Sequence, residues 1–418
     1  MKPKLLTTLP AYSADAFRAD VVAGTTVAMV AIPLSIAIAI ASGTEPAKGL
    51  VTAIIGGFLI SLLGGSRVQI GGPTGAFIVV VYGVIARHGY DGLVLATLMA
   101  GVILVVAGLL RAGSLIEYVP EAVISGFTIG IGIIIGSSQL KDFLGLKLAS
   151  LPADFLPKMT ALWSARGSLS PAALGIGLVT ILLIVGLRRA APRLPGLIVA
   201  VALASALAIA FPVDTISARY GDLPSGLPFP TLPGLSVSRM IELLPSAFVI
   251  AFLAGVESLL SAIVADRMIE GAHRPNAEVL AQGFANIGSA LFGGLPATGA
   301  IARTATNIRA GAQTPIAGLV HAATILVVML AFSGLAGRLA MPALAALLLV
   351  TAWNMMEAHR WRSFLALPKD EFALLLLTLV LTVLADLTIA IGTGVALGLI
   401  LHRVKGRHAA EGWTTPDR

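Results

Sequence analysis

Read for apolar and polar positions, the chain is a succession of apolar runs broken by short polar joints. The runs lie at about 21–41, 49–64, 74–86, 93–111, 118–138, 171–187, 194–211, 243–264, 278–292, 298–308, 313–332, 339–354, 371–385 and 387–402. Several are short, but many approach the roughly 17–25 residues that a hydrocarbon layer of about 30 Å demands of a helix. Lipid offers the backbone no hydrogen-bond partners, so such spans are expected to be helical. The runs are continuous in Leu, Ala, Ile and Gly and lack the two-residue alternation of a barrel strand. Two polar stretches interrupt them, Lys141–Ser170 and Pro212–Glu242, the second rich in Pro and Gly. It falls at mid-chain and divides the runs into seven and seven. The expected fold is an all-α polytopic membrane protein of about fourteen segments. Its parts are a cytoplasmic N-terminal segment 1–20, a first repeat 21–211, a linker 212–242, a second repeat 243–402 and a cytoplasmic tail 403–418.

Composition agrees with this layout. Of 418 residues, 57% are hydrophobic and 12% charged, with a mean hydropathy of +0.95. A soluble domain cannot cover such a composition with polar surface. Cysteine is absent, which excludes disulfides and thiolate metal sites. The six histidines show no HxH or HxxxH spacing, so neither a metal nor another cofactor is expected. The net charge of +7 would suggest nucleic acid in a soluble protein. Here it is expected to mark cytoplasmic helix ends, and no nucleic-acid partner is expected. With the N-terminus inside and sides alternating, inside cations outnumber outside ones by about two to one. The clusters Arg188–Arg193, Arg360–Lys369 and Arg403–Arg407 then share one side. Both termini are therefore expected in the cytoplasm. No small-residue cleavage site follows a short apolar core, so no signal peptide is expected.

Seven spans per half would place the second half upside down relative to the first. A trace of that symmetry is visible. The third run opens with "GGPTGAF", Gly71–Phe77, and the tenth with "GGLPATGAI", Gly293–Ile301. Short, Gly/Pro-interrupted runs at matching places in two halves point to a transporter's binding site; two unrelated turns are the plainer alternative. A half-helix that begins inside the membrane exposes its first N–H groups and the positive end of its dipole. Two such ends facing each other suit an anion. Thr74 and Thr298 are expected to cap these starts or to donate through their hydroxyls.

Arg303 would add a full charge to such a site; intramembrane arginines serve a pathway or a partner. The alternative is an arginine paired with Glu257 or a carbonyl, holding packing only. In the first run, Pro33 kinks the helix beside Ser35, through a structural bend or a substrate contact. Glu257 stands inside the eighth run as a candidate for coupling to a proton or sodium ion, or as a structural partner of Arg303. Gly126, Gly130, Gly132 and Gly136 of the fifth run allow close helix contact. Asp386, between the last two runs, reads as a helix-end residue.

The stretches "ADVVAGTTVAMVAIPLSIAIAIASG", "GGPTGAF", "VPEAVISGFTIGIGI", "VESLLSAIVAD" and "NAEVLAQGFANIGSALFGGLPATGAIARTATNIRAG" resemble the SulP family of anion permeases, bacterial relatives of the sulfate transporters, pendrin and prestin. The resemblance runs from about Ala14 to about Arg407. It implies seven plus seven inverted repeats, with segments one to four and eight to eleven as a core and the others as a gate. It implies an anion held by Thr74, Gly75, Ala76 and Phe77 of the third segment and by Gly299, Ala300, Ile301, Ala302 and Arg303 of the tenth. The polar contact of the first segment falls among Leu34–Ile38, leaving Ser35 as the candidate. Elevator-type alternation of core against gate, a homodimer and a bacterial inner membrane are implied as well. Family members usually end in a cytoplasmic STAS domain, which is absent here; "GWTTPDR" reads as a linker, so trimming is expected.

The expected function is secondary active transport of a small anion of the sulfate, bicarbonate or dicarboxylate class, coupled to a proton or sodium through Glu257. An uncoupled channel or exchanger, a voltage-responsive motor, and a nucleobase–cation symporter on the same architecture are the alternatives. The symporter's site is expected to hold more carboxylates. No nucleophile–base pair, metal spacing or phosphate loop suggests an enzyme.

Overall fold

The computed structural model describes residues 2–113, 121–148, 150–191, 195–385, 389–390, 392–394 and 396–397. The chain is an integral membrane protein built from helices. Seven of those described are long and apolar enough to cross a membrane. They are α1 (Ala14–Ala41), α2 (Pro46–Leu63), α3 (Phe77–Leu109), α4 (Glu121–Phe143), α6 (Pro171–Ala190), α8 (Val237–Ile269) and α11 (Ile316–Gly337). Shorter helices are α5 (Phe155–Ser164), α7 (Gly196–Ala208), α9 (Pro275–Leu291), α10 (Ile301–Arg309), α12 (Met341–Met355) and α13 (Lys369–Leu384). Two strands of two residues, β1 (Gly71–Gly72) and β2 (Thr298–Gly299), precede α3 and α10. Asp386, the tail 403–418 and most of the run 387–402 lie outside the described residues.

Local chemistry accounts for the helix limits. Ser13 caps α1 by accepting from the Ala16 N–H, and Ser170 does the same for α6 through Ala173. Pro275 and Pro342 sit in the first turns of α9 and α12, where no intrahelical N–H bond is lost. The third and fourth runs join as α3, broken at Gly89 with φ 71° and ψ 177°. The eighth run begins earlier than hydropathy indicates, because Val237–Glu242 is compatible with a helix though partly polar. Helix α5 is amphipathic: Leu156 and Trp163 are exposed, whereas Lys158 is 3% exposed and donates from Nζ to Ser138 Oγ at 2.8 Å.

Packing sorts the helices into two groups, each drawn from both halves of the chain. Helix α3 packs most extensively on α8 and α9, and α1 on α11 and α2. Separately, α4 packs on α12 and α13, and α6 on α7 and α12. Glycines permit the second set: Gly126 and Gly130 of α4 lie against Leu375 and Thr382, and Gly132 against Ala352. Helix α1 also meets α7 and α12, joining the two groups.

Candidate functional site

The extended stretches before α3 and α10 cross antiparallel, pairing Gly71 with Gly299 and Gly72 with Thr298. The Ala300 N–H extends the ladder to the Ile70 carbonyl at 2.8 Å. Each stretch turns directly into a helix, after Ala76 in one case and Ala300 in the other, and neither start carries a side-chain cap. Of the two roles expected of Thr74 and Thr298, capping or donating through the hydroxyl, the structure shows the second: Thr74 Oγ1 donates to Glu257 Oε2 at 2.8 Å, and Thr298 Oγ1 donates to the Ala254 carbonyl at 2.9 Å. Residues 254 and 257 are neighbours on one face of α8. Both crossing strands are thereby held to the same helix, and the first N–H groups of α3 and α10 keep no side-chain partner.

The expected contributors distribute as follows. Thr74 and Gly75 are half-buried, Ala76 and Phe77 buried. A Cβ at Gly75 would stand 3.2 Å from Met355 Sδ and 3.5 Å from Ile135 Cδ1, so this turn faces the second helix group. Gly299 and Ala300 are buried, while Ile301 and Ala302 are exposed. Arg303 is 2% exposed. Its Nη2 donates to the Pro73 carbonyl at 2.6 Å, across the strand pair, while Nε and Nη1 have no partner among the described residues. Gly72, with φ 150°, makes room for it: a Cβ there would lie 2.5 Å from Nη1. Arg303 and Glu257 are close enough to act on each other electrostatically, but no ion pair joins them. Ser35 is buried, with its backbone carbonyl against Gly49 of α2 and its hydroxyl without a hydrogen-bond partner among the described residues.

A second polar centre went unnoticed in the sequence. Glu278, in the first turn of α9, is fully buried. Its Oε2 accepts from the N–H groups of Gly65 and Ser66 at 2.9 and 3.2 Å. Its Oε1 accepts from Gln69, Ser258 and Gln282 at 3.1, 2.9 and 2.9 Å. Asn286 exchanges hydrogen bonds with the Ala297 backbone, and Asn307 donates to the Val68 carbonyl. Thr304 Oγ1 accepts from the Ile70 N–H at 3.0 Å. These side chains satisfy the backbone of both extended stretches, which buried loops otherwise leave unpaired. Behind them, His321 of α11 is buried with both ring nitrogens unpartnered among the described residues.

Chemically, the crossing presents two uncapped helix starts and one guanidinium with open donors, against two carboxylates, Glu257 engaged by Thr74 and Glu278 by its own five donors. Helix N-termini and arginine donors recognise oxyanions. Among the described residues, no cluster of three or more His, Cys, Asp or Glu side chains forms a metal centre.

Comparison with known proteins gives concordant results. The model of the sulfate permease family matches residues 17–378. The chain is 42% identical over 392 residues to the putative sulfate transporter YvdB of Bacillus subtilis, covering 93% of this chain and 74% of that one. It is 32% identical over 401 residues to the bicarbonate transporter BicA of a Picosynechococcus species, covering 92% and 70%. Among solved structures, the transmembrane domain of a cyanobacterial bicarbonate transporter BicA superposes with a TM-score of 0.80 at 29% identity, covering 93% of this chain and 98% of that domain.

Proposed function

The chain belongs to the sulfate permease family, a family of transporters and not of enzymes, and from that premise we propose that it is a secondary transporter of a small oxyanion. The substrate class is sulfate, bicarbonate or dicarboxylate, the first two named for its relatives YvdB and BicA. The observation that carries this is the antiparallel pairing of Gly71–Gly72 with Thr298–Gly299, which brings two uncapped helix starts together beside Arg303. The anion sits between those starts, against Gly75, Ala76, Gly299 and Ala300, with Ile301 and Ala302 on the exposed side. Ser35 is the remaining candidate contact from α1.

Glu257 is the coupling group for a proton, with sodium as the second choice. Its hydrogen bond to Thr74 supports this role: loading or unloading Glu257 alters the strand that cradles the anion. The two helix groups support an elevator-type movement of a core (α1–α3, α8–α11) against a gate (α4, α6, α7, α12, α13), with Gly75 at their boundary. The full architecture is two inverted repeats of seven segments. The matching places of the two strand–helix turns in the halves support it. The protein works as a homodimer in a bacterial inner membrane, with both termini cytoplasmic.

The test is uptake by the purified protein in proteoliposomes, using labelled sulfate, bicarbonate, succinate, chloride and nitrate, with imposed pH and sodium gradients. Gradient-driven accumulation of one oxyanion is expected. Uptake indifferent to both gradients would sink the coupled mechanism, and saturable binding of uracil or xanthine instead of anions would sink the substrate class.

A further inference from the structure

Away from the strand crossing, three separated pieces of chain enclose a polar cavity of about 360 Å³. The N-terminal segment contributes Lys4, Thr7, Thr8 and Ser13, the loop after α2 contributes Arg67, and the loop before α11 contributes Thr314. Among the described residues, the lining includes no carboxylate. Ser13, which caps α1 through the Ala16 N–H, stands at the edge of the same space.

The nearby acids are already engaged. Asp20 Oδ1 accepts from the N–H groups of Gln313 and Thr314, and Oδ2 accepts from Thr314 Oγ1 and Tyr12. Asp266 accepts from the His273 ring and backbone N–H at 2.6 and 2.8 Å. Asp15 faces the exposed Arg18 at 3.5 Å. Lys4 and Arg67 form no ion pair among the described residues. Burial, then Arg274, then Arg67 hold the Lys4 ammonium below its ordinary value, with Asp266 opposing more weakly. This is an excess of positive charge; of the lining hydroxyls, Thr7 and Thr8 donate to the Lys4 and Leu5 carbonyls and Thr314 and Tyr12 to Asp20, which leaves the Ser13 hydrogen for a ligand. Alongside, Leu6, Leu9 and Phe17 are exposed at 59%, 44% and 51%, an apolar flank next to the polar hole.

A phosphate group answers the two cations and the Ser13 hydroxyl, and acyl chains answer the apolar flank. We propose that this cavity binds the phosphate headgroup of an anionic membrane lipid. Occupation would join the N-terminal segment to the loop carrying Arg67 and the loop carrying Thr314. Those loops lead into β1 and follow α10, so the lipid would brace the scaffold of the crossing from outside the anion path.

The experiment is native mass spectrometry of the full chain in detergent, titrated with dihexanoyl phosphatidylglycerol, dihexanoyl phosphatidylcholine or inorganic phosphate. Wild-type protein is expected to retain one phosphatidylglycerol in preference to phosphatidylcholine. Removing each cation should weaken that binding about fivefold, so the Lys4→Gln/Arg67→Gln pair should abolish the preference. Arg239→Gln/Arg338→Gln makes the same charge change elsewhere and should leave it intact. If the Lys4/Arg67 pair fails to fold, Lys4→Gln alone is read in its place. Equal binding by the Lys4/Arg67 variants overturns the site, as does an equal loss in the Arg239/Arg338 control. Binding of inorganic phosphate with no retention of phosphatidylglycerol overturns the lipid source.

Discussion

Gly299→Ala is the most informative single change, because its cost is read directly from the packing. A Cβ at Gly299 would stand 1.8 Å from Gln69 Nε2, 2.7 Å from Gln69 Cδ and 3.2 Å from Ser258 Cα. Ser258 Cα is backbone of α8 and cannot retreat easily, so the Gln69 amide must leave. That amide donates to Ser258 Oγ at 2.7 Å and to Glu278 Oε1 at 3.1 Å. A hydrogen bond to a carboxylate is worth about 1.5–3 kcal/mol and a neutral one about 1 kcal/mol. Overpacking adds about 1–3 kcal/mol. The sum is at least about 3 kcal/mol, at the upper end of what point mutations do. The assay is thermal denaturation of purified protein in detergent, followed by tryptophan fluorescence, in a double-mutant cycle with Gln69→Ala. Gly299→Ala should lower Tm by several degrees and abolish uptake, since the crossing that positions both helix starts is distorted. In the Gln69→Ala background the same change meets no amide, so the two effects should be non-additive by about 1–3 kcal/mol. A Gly299→Ala protein that melts like wild type, or a strictly additive pair, would refute the reasoning.

Three further outcomes follow from the same geometry. Arg303→Ala should reduce anion uptake at least about tenfold, the scale of one charge-assisted hydrogen bond, and unchanged kinetics in a folded variant would remove Arg303 from the pathway. Glu257→Gln should leave anion binding measurable but make uptake independent of an imposed pH gradient; persistent proton-driven accumulation would exclude Glu257 as the coupling group. Burial lowers Lys158 from the ordinary lysine value of 10.5 to about 8, against the opposing charge of Asp154. Between those values the unfolded chain binds more protons than the folded one, so stability rises with pH across that window. Lys158→Met should flatten that rise in thermal melts, and an unaltered slope would contradict it.

The membrane helices were legible in the sequence because lipid makes one demand, and long apolar runs meet it visibly. The two strand–helix turns were legible as well: Gly, Pro and Thr leading a short apolar run mark a helix that starts where a span should continue. What joins them was not. Capping is a local rule, but where Thr74 and Thr298 donate depends on distant chain. Their actual partners, Glu257 and Ala254, lie 183 and 44 positions away. Glu278 opens a run, where an acid in the first helical turn needs no explanation. Its burial comes from Gly65, Ser66 and Gln69, 209–213 positions earlier. Pairing across such distances leaves no periodicity to read.

The contrast between Glu278 and Arg303 separates scaffold from site. Both are charged side chains buried within the same crossing. Glu278 collects five donors on its two oxygens, from three separate parts of the chain. The carboxylate itself is fully engaged, while its partners Gln69 and Gln282 keep their amide oxygens without a partner among the described residues. Arg303 carries five N–H donors, yet only Nη2 is engaged, and its acceptor is the Pro73 carbonyl. The bond orients the guanidinium across the strand pair and leaves Nη1 and Nε unmatched. Orphaned buried donors of this kind cost about 1–3 kcal/mol each, more for a charged group. A charged donor set left open costs more than the open amide oxygens of Gln69 and Gln282, and an arginine needed for packing alone could give way to an apolar residue at little cost. On the proposed reading, an oxyanion between the two helix starts takes up the open donors of Arg303, and the bond to Pro73 aims them.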